Sequence, residues 1–233
     1  LAVARAAVLS CGVPGAVASH HTAARVHRMA TPDDLEHVTV PRHQRRACRA
    51  DLVFHGCALD PEDVEVRRGV PITTAPRSLL DLAAIASRLN AVWAVDDALR
   101  RTLVTRPELD AALLVGVVGK RVAEADGLAE SILETAGRPA LSDANLPPPS
   151  PQYRVFIAGS LMARLDAAYP EQRLGIEYDG RAAHGSATAI HRDRGRQNLL
   201  HQSGWKLLRF TWEDVVHNTP SFVRAVRSCL GGG

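Results

Sequence analysis

The sequence predicts an α/β protein in two parts: a smaller α+β domain over residues 1–120 and a domain of order αβββαβ over residues 121–233. Three observations carry that reading. Short β-rich runs alternate with helix-period runs, glycines at Gly116, Gly119 and Gly127 punctuate the middle, and a proline-rich connector separates one helix from a three-stranded meander. At 233 residues, 46% hydrophobic and 23% charged, the chain is long enough for two domains that each bury a core. No apolar run approaches the roughly 20 residues that cross a bilayer, so a membrane-spanning helix and a membrane partner are excluded. Lys and Arg number 28 against 25 Asp and Glu, and a net charge of +3 points only weakly to an acidic partner. Cys11, Cys48, Cys57 and Cys229 lie far apart with no C-x-x-C pair and no secretory h-region is visible, which favours a reduced, cytoplasmic protein.

The first nine residues read as a helix already under way and Leu1 is not a Met, so the sequence is expected to lack its natural beginning. Candidate strands follow at His37 to Val40, Leu52 to His55 and Val70 to Thr73. Between the first two lies a basic stretch with Arg42, Arg45, Arg46 and Arg49, which reads as a solvated turn or as a phosphate-binding loop. Helices are predicted from Arg77 to Ala86, after the breaker Pro76, and from Leu89 to Leu99. The domain boundary is placed between Val118 and Asp126, with a new helix from Leu128 to Ala136. Pro147, Pro148, Pro149 and Pro151 then fix φ and remove backbone donors, so that segment is an extended connector. Strands at Tyr153 to Ile157, Leu161 to Ala168 and Leu174 to Asp179 form the meander. A polar helix from about Thr188 to Gln202 ends at Gly204, Trp205 to Phe210 adds a fourth strand, and short helices at Glu213 to His217 and Ser221 to Leu230 complete the chain.

Chemistry concentrates in the meander. Side chains alternate along a strand, so Glu177 and Asp179 share one face, and the short turn before Leu174 lets Asp166 lie beside Glu177 across the ladder. Carboxylates that close repel one another, and a divalent cation removes the repulsion; oxygen donors of this kind suit Mg2+ or Mn2+ rather than zinc. Taken alone, Asp179-Gly180 is also a hairpin turn signal and Asp166 also a strand-edge acid. Arg181, His184, Arg192 and Arg196 follow directly, and the last two share one helical face, either as a phosphate clamp or as a solvated surface. Metal to activate water, a His to move a proton and guanidinium groups to hold the backbone are what phosphodiester hydrolysis requires.

The stretches Arg164-Leu165-Asp166, Gly175-Ile176-Glu177-Tyr178-Asp179-Gly180 with His184, Arg192-Asp193-Arg194, Arg196-Gln197-Asn198 and Gly204-Trp205-Lys206-Leu207-Leu208-Arg209-Phe210 resemble an actinobacterial domain-of-unknown-function family. That family is similar to the very-short-patch repair (Vsr) endonuclease of the PD-(D/E)xK restriction-endonuclease-like superfamily, and the resemblance covers about Leu128 to Leu230. It implies an αβββαβ restriction-endonuclease-like core, dependence on Mg2+ or Mn2+, and a DNA substrate. It makes Asp166 and Glu177 metal ligands and His184 the loop histidine that assists proton transfer. Glu130 matches the helix acid that joins such sites, with Glu134 one turn further on as its competitor. The superfamily's lysine two residues after the second acid is Asp179 here. Either Asp179 is a further ligand or water-orienting group, or Lys206 or Arg209 supplies the positive charge, and these two fall on opposite sides of an ideal strand.

The amino-terminal half resembles the region that follows the winged helix in AbiEi-type antitoxins of type IV toxin-antitoxin systems, through Ser19-His20-His21-Thr22-Ala23-Ala24, His37-Val38-Thr39-Val40-Pro41 and Val70 to Leu82. A winged helix further upstream, a homodimer or a toxin-antitoxin partner are what that resemblance implies. His43, Cys48, His55 and Cys57 have no closed zinc spacing, and His20, His21 and His27 read as scattered, satisfied or exposed histidines. No nucleotide-binding glycine motif occurs. The sequence therefore predicts a Mg2+-dependent endonuclease acting on DNA, with Asp166, Glu177 and Glu130 as metal ligands, Asp179, His184 and Lys206 in catalysis, and Arg181, Arg192 and Arg196 on phosphates. The alternative is a non-catalytic DNA-binding regulator of antitoxin type that keeps the nuclease fold; a protein-interaction module is the third.

Overall fold

A computed structural model describes residues 1–31, 35–44, 51–110, 116–179 and 197–231. The chain is mixed α/β and divides into two compact units, Leu1–Gly127 and Leu128–Gly233. Among the described residues no helix is long and apolar enough to cross a membrane.

The first unit is built on a five-stranded sheet of β1 (Val17–Ala18), β2 (Glu36–Val40), β3 (Leu52–Gly56), β4 (Val64–Arg67) and β5 (Val70–Thr73), in the order β3-β2-β1-β5-β4. Its helices are α1 (Ala2–Cys11), α2 (His20–Val26), α3 (Ala75–Ile85), α4 (Arg88–Arg100), α5 (Arg106–Asp110) and α6 (Gly116–Glu124). The three predicted strands are present. The sequence reading missed β1 and β4, the first because two residues carry no period, the second because its residues stay largely exposed. Leu79 and Leu82 of α3, Val92 and Val95 of α4, and Val122 and Ala125 form one buried cluster. Beyond it, buried Asp96 accepts from the backbone N–H groups of Asp126 (2.8 Å) and Gly127 (2.9 Å), so the chain is tied to this unit up to its last residue. Gly127 has φ 73°, and a Cβ there would lie 2.8 Å from Leu99 Cβ. The first unit runs on to Gly127, with Val122 of α6 and Ala125 after it in its core.

The second unit begins at α7 (Ile132–Asp143), four residues later than the apolar pattern suggested. Ser131 is the N-cap: its Oγ accepts from Glu134 N–H (3.2 Å) and donates to Glu134 Oε1 (2.8 Å), while Glu134 Oε2 accepts from Glu130 N–H (3.0 Å). Then come β6 (Ser150–Ile157), β7 (Ser160–Tyr169) and β8 (Leu174–Asp179), a helical stretch α8 at 197–202, β9 (Lys206–Thr211), a π-helical turn at Glu213–His217 and α9 (Thr219–Leu230). The sheet order is β6-β7-β8-β9, antiparallel except for the parallel pair of β8 and β9. Ile176, Tyr178 and Phe210 form a buried cluster with Leu133 and Leu141 of α7 and Phe222 and Val226 of α9. Val155, Leu165 and Leu200 form another. Gly137 is what lets α7 approach: a Cβ at that position would lie 2.1 Å from the Tyr178 hydroxyl oxygen.

Candidate active site

The site grows out of an interruption in the sheet. The β7–β8 ladder runs from Tyr169–Leu174 through Ala168–Gly175 to Ala167–Ile176 and stops. The next free amide, Tyr178 N–H, donates to Asp166 Oδ2 at 2.8 Å, so a carboxylate takes the place of a backbone carbonyl. Asp166 is half-buried there, and burial pushes its carboxyl up to about 6. The Tyr178 N–H bond opposes that shift, while the charges of Glu134 and Glu177 reinforce it.

Glu177 is only 8% exposed. The parallel register sets it opposite Arg209, whose Nε donates to Glu177 Oε2 at 2.9 Å. With its carboxamide oxygen turned toward Arg209, Gln197 of α8 accepts from Nη1 (2.9 Å) and Nη2 (2.7 Å) and holds the guanidinium in place. Asp179 is exposed at the end of β8, opposite Thr211. Lys206 pairs with Leu174 at the other end of the same ladder, three residues from the Glu177–Arg209 pair, or about 10 Å at the strand rise. Arg209, not Lys206, is thus the cation beside Glu177.

The two helix acids are placed differently. Glu130 forms a two-pronged ion pair with Arg164, both contacts at 2.7 Å, on an exposed surface. Glu134 is the one whose charge acts on Asp166. It is also bonded to Ser131, to Glu130 N–H and to Gln152 Nε2 (2.7 Å). Of the two helix acids, then, Glu134 is the one whose charge adds to that of Glu177 on Asp166, while Glu130 is paired with Arg164. The S-x-x-E spacing marked Glu134 as a cap but not as a neighbour of Asp166. Arg181, His184, Arg192 and Arg196 lie outside the described residues.

Among the described residues no three His, Cys, Asp or Glu side chains are already gathered as a closed metal-ligating set. Asp166 and Glu177 are each engaged by a protein donor, Tyr178 N–H and Arg209. The donor atoms that Asp166 and Glu177 offer are carboxylate oxygens, the type that suits a hard divalent cation rather than a soft one.

A second cluster, absent from the sequence reading, sits in the first unit. His20 stacks on His55 with ring centroids 3.6 Å apart, and His37 Nδ1 lies 2.9 Å from His55 Nε2. His21 packs on His37. Burial, then the neighbouring His55, His37, His21 and Arg77, push His20 down to about 2, and burial pushes Asp81 up to about 6 despite its ion pair with Arg77. These histidines are buried or part-buried and satisfied but not scattered. The signal was the pairing of β2 with β3, which sets Thr39 against His55 and brings His37 within diagonal reach.

Comparison with known proteins bears on the second unit most. Residues 157–230 match the REase_MTES_1575 family model. That segment contains Asp166, Glu177, Asp179, Lys206 and Arg209 and stops short of Glu130, Glu134 and Gln152. The chain is also 32% identical over 152 residues to the uncharacterized proteins MT2308 and Rv2248 of Mycobacterium tuberculosis strains CDC 1551 and H37Rv. Each match covers 62% of this chain and 56% of the relative, so the chain spans little more than half the length of those proteins. No solved structure matches it. Over residues 157–230, then, the chain is similar to a restriction-endonuclease-like family.

Proposed function

We propose that the second unit is a Mg2+- or Mn2+-dependent nuclease that hydrolyses phosphodiester bonds in DNA. The observation that carries the reading is the side-by-side placement of Asp166 and Glu177 where the β7–β8 ladder stops, inside the segment similar to the restriction-endonuclease-like family. Asp166 and Glu177 would hold the cation, with Glu134 rather than Glu130 as the helix acid nearest to them. Bound there, the ion supplies Lewis-acid polarisation of a phosphoryl oxygen and a water of lowered pKa.

The chain's own residues have separable tasks. Tyr178 N–H orients Asp166, and Arg209, itself held by Gln197, orients Glu177. Asp179, exposed two residues beyond Glu177, is placed to orient a water at the open end of the strand. His184 moves the proton, and Arg181, Arg192 and Arg196 hold phosphate oxygens; these four roles rest on the sequence pattern. The first unit, by its antitoxin-like sequence, would position the nuclease or engage a second copy or a toxin-antitoxin partner.

One observation favours a non-catalytic DNA-binding regulator instead: Asp179 stands where the superfamily has its lysine, and Arg209 is already paired to Glu177. Incubation of supercoiled plasmid and single-stranded DNA with the full chain, with Mg2+ or with a chelator, separates the two. Nicking that needs the metal and is lost in Asp166→Ala is the outcome for the nuclease. DNA binding that persists without any nicking overturns the nuclease in favour of the regulator.

A further inference from the structure

Gln152 carries two unfavourable features at one position. It lies inside β6 with φ 49°, a left-handed conformation that is unfavourable for a non-glycine residue. Its side-chain Oε1 is buried without a hydrogen-bond partner among the described residues, a further unfavourable feature for a polar group. Among the described residues only Asp81 Oδ2, in the other unit, shares the second condition. Along this edge strand, pairs with β7 flank the position before and after it.

The location supplies a reason for both. The pairs Pro151–Ala167 and Tyr153–Leu165 flank Gln152 and set it across β7 from Asp166. Its Nε2 donates to Glu134 Oε2 at 2.7 Å, and because a carboxylate can only accept, that bond fixes which end of the amide is oxygen. Gln152 thus ties the helix acid to the strand that faces Asp166, and leaves a carbonyl-type oxygen with nothing to accept.

We propose that Gln152 belongs to the cation site and that its Oε1 is a neutral oxygen donor to the divalent ion attracted by Asp166 and Glu177. The inference rests on the metal-dependent reading above and adds to it a residue outside the matched segment. A cation satisfies an amide oxygen without any N–H or O–H group. A neutral ligand also adds coordination without adding to the repulsion among Glu134, Asp166 and Glu177, as the mixed carboxylate and carboxamide shells of hard cations do. The left-handed backbone is the device that turns this side chain toward α7 instead of continuing the pleat.

The test is calorimetric titration of the metal-free full chain with MnCl2, alongside Gln152→Leu, Gln152→Asn, Gln152→Glu and Asp166→Asn. Gln152→Leu keeps the bulk and removes the oxygen together with the Nε2 donor to Glu134, and is expected to weaken Mn2+ binding about tenfold or more. Gln152→Asn tolerates the left-handed backbone best but shortens the reach, and is expected to weaken binding as well, which covers the case in which the Leu variant fails to fold. Gln152→Glu retains an oxygen and is expected to keep or tighten binding. Wild-type affinity in the Leu and Asn variants, with binding lost in Asp166→Asn, overturns the role of Gln152 and leaves the cation site standing. Equal loss in the Leu, Asn and Glu variants assigns Gln152 a structural role and also overturns it. Absence of Mn2+ binding by the unaltered chain overturns both.

Discussion

Asp166→Asn is expected to make the metal-free second unit more stable. Burial, with the charges of Glu134 and Glu177, raises the Asp166 carboxyl from 3.8 to about 6. A group whose folded pKa lies above its unfolded value contributes stability below pH 3.8 and loses it as the pH rises through about 6, so at pH 7.5 the ionised Asp166 works against folding. At about 1.4 kcal/mol per pH unit the full shift corresponds to about 3 kcal/mol, and partial solvent access screens it to about 1–2 kcal/mol. Asn has the same shape, never ionises and still offers an oxygen to Tyr178 N–H. Urea unfolding followed by tryptophan fluorescence, with Trp93→Phe in both proteins so that only Trp205 and Trp212 of the second unit report, measures the difference. The Asn variant is expected to be about 1–2 kcal/mol more stable at pH 7.5, with the gap narrowing steadily toward pH 4. A variant less stable than its parent at pH 7.5, or a gap that does not move with pH, refutes the electrostatic account of Asp166.

Further outcomes follow from the same geometry. Arg209→Ala leaves the buried Glu177 carboxylate without its Nε donor, and urea unfolding should show a loss of about 1–3 kcal/mol. Gly137→Ala drives a methyl group into the Tyr178 hydroxyl, where a Cβ would stand 2.1 Å away; a loss of about 1–3 kcal/mol is expected in the same assay. In the first unit two signs oppose each other. His20, depressed from 6.5 to about 2, contributes stability above pH 6.5 that is lost as the pH falls, whereas Asp81, raised from 3.8 to about 6, contributes stability that grows as the pH falls from 6 toward 3.8. Asp81→Asn removes the second, so Trp93 fluorescence should report a steeper loss of stability between pH 6.5 and pH 4 than in the unaltered chain; an unchanged slope contradicts the assignment.

The strands of the second unit were legible because their apolar residues alternate and their turns carry Gly159, Pro170 and Gly204. The start of α7 was not, since Leu128 and Ala129 continue the apolar period and only the Ser131–Glu134 cap decides where the helix begins. The pairing of Asp166 with Glu177 could be read from strand alternation and a short turn. The choice between Lys206 and Arg209 could not, because it depends on the parallel register of β8 and β9, which is set by a connection through a helix. Gln152 was invisible for a similar reason: nothing in a Pro-Gln-Tyr run announces a left-handed backbone opposite an acid. The histidine cluster depends on a sheet order in which β2 is flanked by β1 and β3, an arrangement that no local period encodes.

The central claim is that a divalent cation is held by Asp166 and Glu177. Its most direct test is a crystal of the full chain soaked in MnCl2 and measured at a wavelength where manganese scatters anomalously. The account predicts one anomalous peak in contact with carboxylate oxygens of Asp166 and Glu177, absent from Asp166→Asn crystals treated the same way. Well-ordered acids with no peak between them, or a peak bound elsewhere and indifferent to the substitution, would contradict it.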